Sequence, residues 1–166
     1  MTLVLGLLAA GLTPSAAGAG GLPGLEAKLL PPEQAFRFSA RALDPQTIEA
    51  RFDVADGYYL YRDKLRFAAA PGGASLGPAT LPAGKRKQDQ FFGEVETYRG
   101  AVVVKVPVVD GAAGQPIVVL ADSQGCADAG ICYPPNTQQV KLALPASGAG
   151  PGPLIEATPP RKGLFK

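Results

Sequence analysis

The sequence predicts an all-β protein, an antiparallel sandwich whose short strands are joined by long loops. Residues 47–54 alternate strictly between apolar and polar side chains, which is the period-2 pattern of a half-buried strand. No stretch of ten residues keeps the periodicity of an amphipathic helix. Glycine (21 residues) and proline (17 residues) are frequent, so turns separate the extended segments. Several short strands between such turns are typical of a sandwich.

The other strands are predicted from segments rich in β-branched and aromatic residues. In chain order, the predicted strands are 35–40, 47–54, 58–62, 65–69, 101–109, 117–121 and 138–144. Asp56 and Gly57 mark a turn between the second and third strands. Pro107 has no backbone N–H to donate, so it favours an edge strand or a bulge near the end of 101–109. Residues 31–34 predict one helical turn and nothing longer.

The two ends of the chain differ from this β-rich middle. Residues 3–12 form an apolar run that is too short to span a membrane but suits the hydrophobic region of a secretory signal. The small residues 17–19 fit a cleavage site, so 1–19 is predicted to be a signal peptide, although no lysine or arginine precedes the apolar run. If it is not cleaved, this segment is expected to act as a membrane anchor. Residues 145–166 are rich in proline and glycine, which predicts a flexible tail or linker.

The composition excludes several classes of function. The formal charge is only +2, so no overall field favours nucleic acid, and the one basic cluster, 84–87, is expected to be a solvated loop. The chain contains no histidine, which removes the usual general base and the commonest metal ligand. With two cysteines and one methionine, a zinc or copper site would lack its usual ligands. We therefore expect no metal, no cofactor and no nucleic-acid partner.

Both cysteines lie in one short stretch, "GCADAGICYPP", residues 125–135. In an exported protein, Cys126 and Cys132 can form a disulfide. A structural disulfide closing so short a loop would stabilise the fold by about 2 kcal/mol on the chain-entropy model. Small residues between the cysteines leave the sulfurs little steric cover, which favours access by another protein. Asp128, the nearest charge in the sequence, disfavours a thiolate, so the loop is not typical of a strongly activated nucleophile.

The stretch "QGCADAGICYPP" resembles the active-site segment of the N-terminal periplasmic domain of DsbD, the transmembrane thiol:disulfide interchange protein. Four further stretches are similar to that family's landmarks in the same order. They are "PPEQAFRF" (31–38), "DGYYLYRDKLRF" (56–67), "LPAGKRKQDQFFGEVETYRG" (81–100) and "CYPPNTQQVKL" (132–142). The similarity covers roughly residues 28–144, which we predict to be one redox domain. It implies an immunoglobulin-like β-sandwich, not a thioredoxin fold, located in the periplasm.

The resemblance also implies a function, that of a thiol–disulfide oxidoreductase component acting as a protein-disulfide reductase. Electrons would come from a membrane electron-transfer protein. They would pass to oxidised thioredoxin-like proteins of the periplasm, including a disulfide isomerase and a cytochrome c maturation factor. The domain is expected to be a monomer. Full-length members of the family continue into membrane helices and a thioredoxin-like domain, so this chain is expected to be either a stand-alone module or a fragment of a longer protein.

Individual site residues follow from the same motifs. The resemblance implies that Cys126 and Cys132 are the redox pair and that Cys132 forms the mixed disulfides with partners. Phe91 matches the aromatic residue of the family's cap loop, which covers the disulfide until a partner displaces it. Tyr59 and Tyr61 match tyrosines that line the site. The complete set of expected site residues is Cys126, Cys132, Asp89, Phe91, Phe92, Gly93, Tyr59 and Tyr61.

Two other interpretations remain open at this stage. One is a non-catalytic secreted sandwich with a structural disulfide and a surface that only binds a partner. The other, copper-linked exchange or chaperoning, is disfavoured by the absence of histidine and by the single methionine. Without the resemblance, Phe91 and Phe92 are as consistent with core packing as with a cap. Tyr59 and Tyr61, which alternation sends to one face, are equally consistent with a core aromatic pair.

Overall fold

The computed structural model describes residues 29–158, in which β-strands dominate. One helical turn, α1 (Pro32–Ala35), precedes the first strand, and a 3-10 turn (Arg62–Lys64) follows the third. In chain order the strands are β1 (Phe36–Asp44), β2 (Thr47–Val54), β3 (Tyr58–Tyr61), β4 (Arg66–Ala69), β5 (Lys85–Asp89), β6 (Gly93–Tyr98), β7 (Gly100–Pro107), β8 (Pro116–Ser123), β9 (Gly125–Ala127), β10 (Asn136–Ala143) and β11 (Ile155–Glu156). The predicted signal peptide, 1–19, lies outside the described residues. Within 29–158, no helix has the length and apolar character needed to cross a membrane.

The described residues form three antiparallel sheets. Their strand orders are β11-β1-β2-β7, β10-β8-β4 and β5-β6-β3-β9. The predicted all-β antiparallel architecture is confirmed. β7 lies at the edge of its sheet and ends at Pro107, as the missing donor of that proline predicts.

β2 shows why the alternating segment folds as predicted, and its bounds coincide with those of the predicted strand. At most 1% of the surface of Ile48, Ala50 and Phe52 is exposed, while the polar residues between them remain partly exposed. Phe52 lies against Phe38 of β1, with ring centroids 5.0 Å apart, and 6.5 Å from Phe67 of β4. Phe67 belongs to a different sheet, so these rings join two sheets across the core. Burial of each such side chain contributes roughly 1.5–3 kcal/mol.

The hairpin of β5 and β6 is a feature that the sequence does not predict. The two strands pair from Lys85 opposite Thr97 to Asp89 opposite Gly93. The basic cluster was expected to be a loop, and that expectation is wrong, since residues 85–87 lie within β5. Most of β5 faces solvent, so the strand forms through its backbone pairing with β6 and lacks the apolar alternation that marks a buried strand.

The described part of the segment after β10, predicted to be a flexible tail or linker, contacts the sheet through its backbone. Gly152 N donates a hydrogen bond to Ala42 O at 2.8 Å and Ala157 N donates to Phe38 O at 2.8 Å. Between these bonds, β11 pairs with β1. The backbone groups of an edge strand readily bind a further strand. In the described part of this segment, that pairing therefore outweighs the proline- and glycine-rich composition.

Candidate redox site

Cys126 and Cys132 are joined by a disulfide, with their Cα atoms 3.9 Å apart. Residues 126–132, called the redox loop below, form a small hairpin that begins in β9. Ala127 N donates a hydrogen bond to Ile131 O at 2.8 Å, and the two cysteines face each other in an antiparallel bridge. The loop is therefore held by backbone pairing as well as by the sulfur–sulfur bond.

The two sulfur-bearing residues differ in exposure. Cys126 is fully buried, with 0% of its surface exposed, whereas Cys132 is half-buried. Beside Cys132, the Ile131 side chain is 48% exposed. Thiol–disulfide exchange requires direct access to the sulfur that is attacked. In this arrangement Cys132 is the more accessible of the two cysteines.

Gly125 lets the redox loop lie close to β3. In the pairing of β9 with β3, Cys126 is opposite Tyr59. A Cβ atom on Gly125 would lie 2.3 Å from Tyr59 O and 2.7 Å from Cζ of Phe36, so a side chain cannot be accommodated without displacing the backbone. Sequence reasoning missed this role, because a single glycine before a cysteine carries no recognisable pattern.

The hydroxyl of Tyr61 lies directly beside the disulfide. Its oxygen is 3.1 Å from Cys126 Sγ and 3.8 Å from Cys132 Sγ. The ring of Tyr61 packs edge-to-face with Tyr59, their centroids 5.5 Å apart, and both belong to a small buried cluster with Cys126, apart from the main core. Burial, followed by the hydrogen bonds with Tyr59 and Asp89, raises the pKa of Tyr61 well above its usual range. Tyr61 is therefore a neutral hydroxyl at neutral pH.

Asp89 connects these tyrosines to the tip of the β5–β6 hairpin. Its Oδ2 accepts hydrogen bonds from the hydroxyls of Tyr59 (3.0 Å) and Tyr61 (2.9 Å). Its Oδ1 accepts hydrogen bonds from the backbone N–H groups of Phe91 (2.8 Å) and Phe92 (3.2 Å). Burial is the largest single influence on this carboxyl and opposes its charge, but the hydrogen bonds together outweigh it and hold the pKa of Asp89 below its usual range.

The hairpin tip presents two phenylalanines to solvent. Phe91 is 55% exposed and Phe92 is 46% exposed. The ring of Phe92 packs edge-to-face on Tyr61 at 5.1 Å, and Lys64 Nζ lies 4.9 Å from the same ring. Phe91 forms no aromatic pair within the described part of the chain. Gly93, with φ at 73°, closes the turn in a conformation that favours glycine.

Two basic residues that were not among the expected site residues pack on Tyr59. Lys87 Nζ lies 3.5 Å from the centre of its ring, and Arg99 Cζ lies 5.3 Å from it. Arg99 also donates two hydrogen bonds to the carboxylate of Asp128, at 2.9 and 2.5 Å. The hydrogen bond from Arg99 is the main reason that the pKa of Asp128 lies below its usual range. The charge of Asp128 is therefore compensated by Arg99, a partner that the expectation of a thiolate-disfavouring carboxylate did not include.

The disulfide, with its half-buried Cys132 and the hydrogen-bonded tyrosines beside it, has the features of a thiol–disulfide exchange site on a β-sandwich. The family model described as "Thiol:disulfide interchange protein DsbD, N-terminal" matches residues 26–144. The chain belongs to this family of DsbD N-terminal domains. The resemblance inferred from the motifs is confirmed, and with it the immunoglobulin-like sandwich.

Curated relatives and solved structures agree with this assignment. The thiol:disulfide interchange protein DsbD of Ralstonia nicotianae is 48% identical over 130 residues, which are 77% of this chain and 21% of the relative. DsbD of Escherichia coli is 36% identical over 139 residues, which are 83% of this chain and 24% of the relative. The chain therefore spans about a fifth to a quarter of the length of these two proteins.

Two solved structures from Neisseria meningitidis share the fold. The reduced form of the DsbD N-terminal domain is 32% identical, with a TM-score of 0.64, and the match covers 78% of this chain and 96% of that one. A complex between the DsbD N-terminal domain and the PilB N-terminal domain is 36% identical in the matched chain, with a TM-score of 0.57, and the match covers 69% of this chain and 87% of that one.

Proposed function

We propose that this chain is a periplasmic thiol–disulfide interchange module that acts as a protein-disulfide reductase. It receives electrons from a membrane electron-transfer protein and passes them to oxidised thioredoxin-like proteins through Cys126 and Cys132. The observation that carries this proposal is the difference in exposure between the two cysteines, with Cys126 buried and Cys132 half-buried. The complex of a related domain with the PilB N-terminal domain supports docking on a partner protein.

The exchange needs only the two thiols of the reduced module and the disulfide of the partner. The thiolate of Cys132 attacks one partner sulfur, so an intermolecular disulfide forms and the partner's second sulfur leaves as a thiolate. The thiolate of Cys126 then attacks Cys132 Sγ, which forms the Cys126–Cys132 disulfide and releases the partner's first sulfur as a thiolate. Two electrons have passed to the partner, whose thiolates take up protons. The membrane donor returns the module to the dithiol state.

The S–H group of a reduced Cys126 has a hydrogen-bond acceptor next to it. The hydroxyl of Tyr61 donates its own hydrogen to Asp89 Oδ2, at 2.9 Å, and its oxygen lies 3.1 Å from Cys126 Sγ. A reduced Cys126 can therefore donate its S–H to the lone pairs of Tyr61. This chain of hydrogen bonds orients the buried thiol, and its proton is finally taken up by a partner thiolate when the Cys126 thiolate attacks Cys132.

The hairpin tip at Phe91 and Phe92 acts as the cap of the site. Both rings are about half exposed, and Phe92 rests on Tyr61, which in turn contacts Cys126. A partner that replaces these apolar contacts displaces the tip, whereas a small thiol offers no such replacement. The cap therefore limits adventitious reduction more than it limits exchange with a partner.

Trapping of the mixed disulfide tests the roles of the two cysteines, with oxidised thioredoxin as the partner. In the reduced Cys126→Ser variant, the adduct should accumulate on Cys132, because the resolving thiol is absent. The Cys132→Ser variant should form no adduct and transfer no electrons while remaining folded, because opening so short a loop costs about 2 kcal/mol. A Cys132→Ser domain that unfolds, or an adduct found on Cys126 instead, would contradict this assignment. Absence of adducts in both variants would favour a structural disulfide.

A further inference from the structure

An ion pair joins the exposed turn of the redox loop to the end of β6. Asp128 lies between the two cysteines in sequence, and Arg99 directly follows β6. The guanidinium binds the carboxylate through two hydrogen bonds, from Nη1 at 2.9 Å and from Nη2 at 2.5 Å. Such bidentate pairs fix orientation as well as distance. We propose that the Arg99–Asp128 pair is a clamp that keeps the redox loop closed when its disulfide is open, so that Cys126 resolves mixed disulfides rapidly.

The Arg99 side of the clamp is anchored on β3. Nη1 of Arg99 also donates a hydrogen bond to Tyr58 O at 3.0 Å, and the guanidinium lies 5.3 Å from the ring centre of Tyr59. β3 is the strand on which β9 is paired, with Tyr59 opposite Cys126. The clamp therefore ties the exposed turn of the loop to the same strand that positions the buried cysteine.

The Asp128 side of the clamp lies in the exposed turn of the loop, where the backbone N–H of Asp128 also donates a hydrogen bond to Gly57 O at 2.7 Å. Residues 128–131 are exposed, so this turn packs little surface against the domain. Within 127–131, Asp128 is the one side chain that the structure shows hydrogen-bonded to another described part of the chain. In the oxidised state the sulfur–sulfur bond closes the loop by itself. Once that bond is broken, the clamp and the backbone bonds must hold Cys132 near Cys126.

The direction in which the clamp shifts the equilibrium between dithiol and disulfide follows from the conformational entropy that is lost when the loop is ordered. In the disulfide state the loop is already ordered, so the ion pair forms without further loss of conformational freedom. In the dithiol state the pair must also order the loop, and it therefore stabilises that state less. Removing the clamp should shift the equilibrium toward the dithiol and slow closure of the ring. The side chains of Arg99 and Asp128 are 47% and 48% exposed, so we expect roughly a two- to fivefold change, as for a good solvated ion pair.

This inference rests on the proposed exchange function, and glutathione serves as a probe that needs no protein partner. The full chain is equilibrated in glutathione redox buffers, and the rate at which the mixed disulfide with glutathione closes to the internal disulfide is measured in parallel. Arg99→Gln and Asp128→Asn should each favour the dithiol and slow closure by roughly two- to fivefold. In about 1 M salt, where the Debye length is about 3 Å, the wild type should approach the variants.

The matched control is Arg86→Gln. It removes another arginine, whose ion pair with Glu94 has a separation of 3.6 Å and lies on the exposed β5–β6 hairpin. Arg86→Gln should leave both the dithiol–disulfide equilibrium and the closure rate unchanged. A shift equal to that of the clamp variants would show that the change in net charge, and not the clamp, causes the effect. Unchanged values in a folded Asp128→Asn variant, which is nearly isosteric, would overturn it even if Arg99→Gln does not fold. A wild-type disulfide that exchanges neither with glutathione nor with thioredoxin would contradict the exchange function itself, and the clamp with it.

Discussion

The main core of this domain and its redox end, meaning the redox loop with Tyr59, Tyr61 and Asp89, are held together by different interactions. The core joins its sheets through apolar rings such as Phe38, Phe52 and Phe67, which touch across the sandwich. The redox end is held by a buried carboxylate, Asp89, that accepts hydrogen bonds from two tyrosines and two backbone groups. Apolar burial tolerates little loss of volume, whereas these polar contacts can be altered one at a time. The difference implies that the exposed hairpin tip, unlike Asp89 and the core rings, can be changed with little loss of stability.

Phenylalanine-to-alanine substitutions in the two regions should lower the free energy of unfolding by very different amounts. Phe52 is 1% exposed, so Phe52→Ala should lower the free energy of unfolding by about 3–5 kcal/mol. Phe92 is 46% exposed and has one edge-to-face contact with Tyr61, so Phe92→Ala should cost about 1 kcal/mol. Urea unfolding of both variants measures the difference. Equal losses would show that the hairpin tip belongs to the core and would remove the distinction between the two regions.

Loss of the Asp89 carboxylate should lower the free energy of unfolding by less than loss of the Phe52 ring and by more than loss of the Phe92 ring. Asp89→Asn removes a charged acceptor from a buried network, for which about 1.5–3 kcal/mol is expected at neutral pH. The folded pKa of Asp89 lies below its usual range, so the ionised group stabilises the fold above about pH 4. That contribution is lost as the pH falls through the lower, folded pKa.

A pH series of unfolding experiments isolates this contribution. The difference in stability between wild type and Asp89→Asn should shrink as the pH falls below about 4. Asp128→Asn is the matched control, because its carboxylate is 48% exposed and its removal should change stability by no more than about 1 kcal/mol. A difference between wild type and Asp89→Asn that stays constant down to acidic pH would show that Asp89 is not the titrating group.

The smallest expected change in stability comes from Phe91→Ala, and its effect should appear in kinetics. Phe91 is 55% exposed, so its loss should cost well under the 3–5 kcal/mol of a buried ring. If the hairpin tip is a cap, reduction of the disulfide by glutathione should speed up by a factor of roughly 2–5, or about 0.5–1 kcal/mol in the barrier. Exchange with a protein partner should change less, because the partner displaces the cap in any case.

The same rates in Phe92→Ala show which ring covers the sulfurs. The resemblance selects Phe91, while the contact with Tyr61 is made by Phe92. A large loss of thermal stability in Phe91→Ala without faster reaction with glutathione would place Phe91 in the core and refute the cap.

The regular part of the fold could be predicted from the sequence because burial on one face produces alternation. β2 is the clearest case, since each of its apolar residues is buried. β5 has no apolar face and forms through pairing with β6, so no local sequence pattern predicts it. β11 was missed because its pairing partner, β1, lies more than a hundred residues earlier in the chain.

The site residues that could be predicted are those that lie in sequence stretches resembling the family. Cys126, Tyr61 and Asp89 lie in stretches that resemble the family, and the structure brings all three together. The compensation of Asp128 by Arg99 links residues 29 positions apart, and proximity in the sequence pointed to the thiols instead. Charges that interact through the fold cannot be assigned from sequence spacing alone.

The reduction potential of the Cys126–Cys132 disulfide is the most direct test of the claim that this disulfide is exchanged and is not merely structural. The full chain is equilibrated with thioredoxin, whose potential is about −270 mV, and the oxidised fraction of each protein is measured by thiol alkylation. The exchange function predicts that both proteins are partly oxidised at equilibrium, which places the potential of this disulfide near that of thioredoxin. A disulfide that stays oxidised against an excess of reduced thioredoxin, with a potential below about −300 mV, would contradict it.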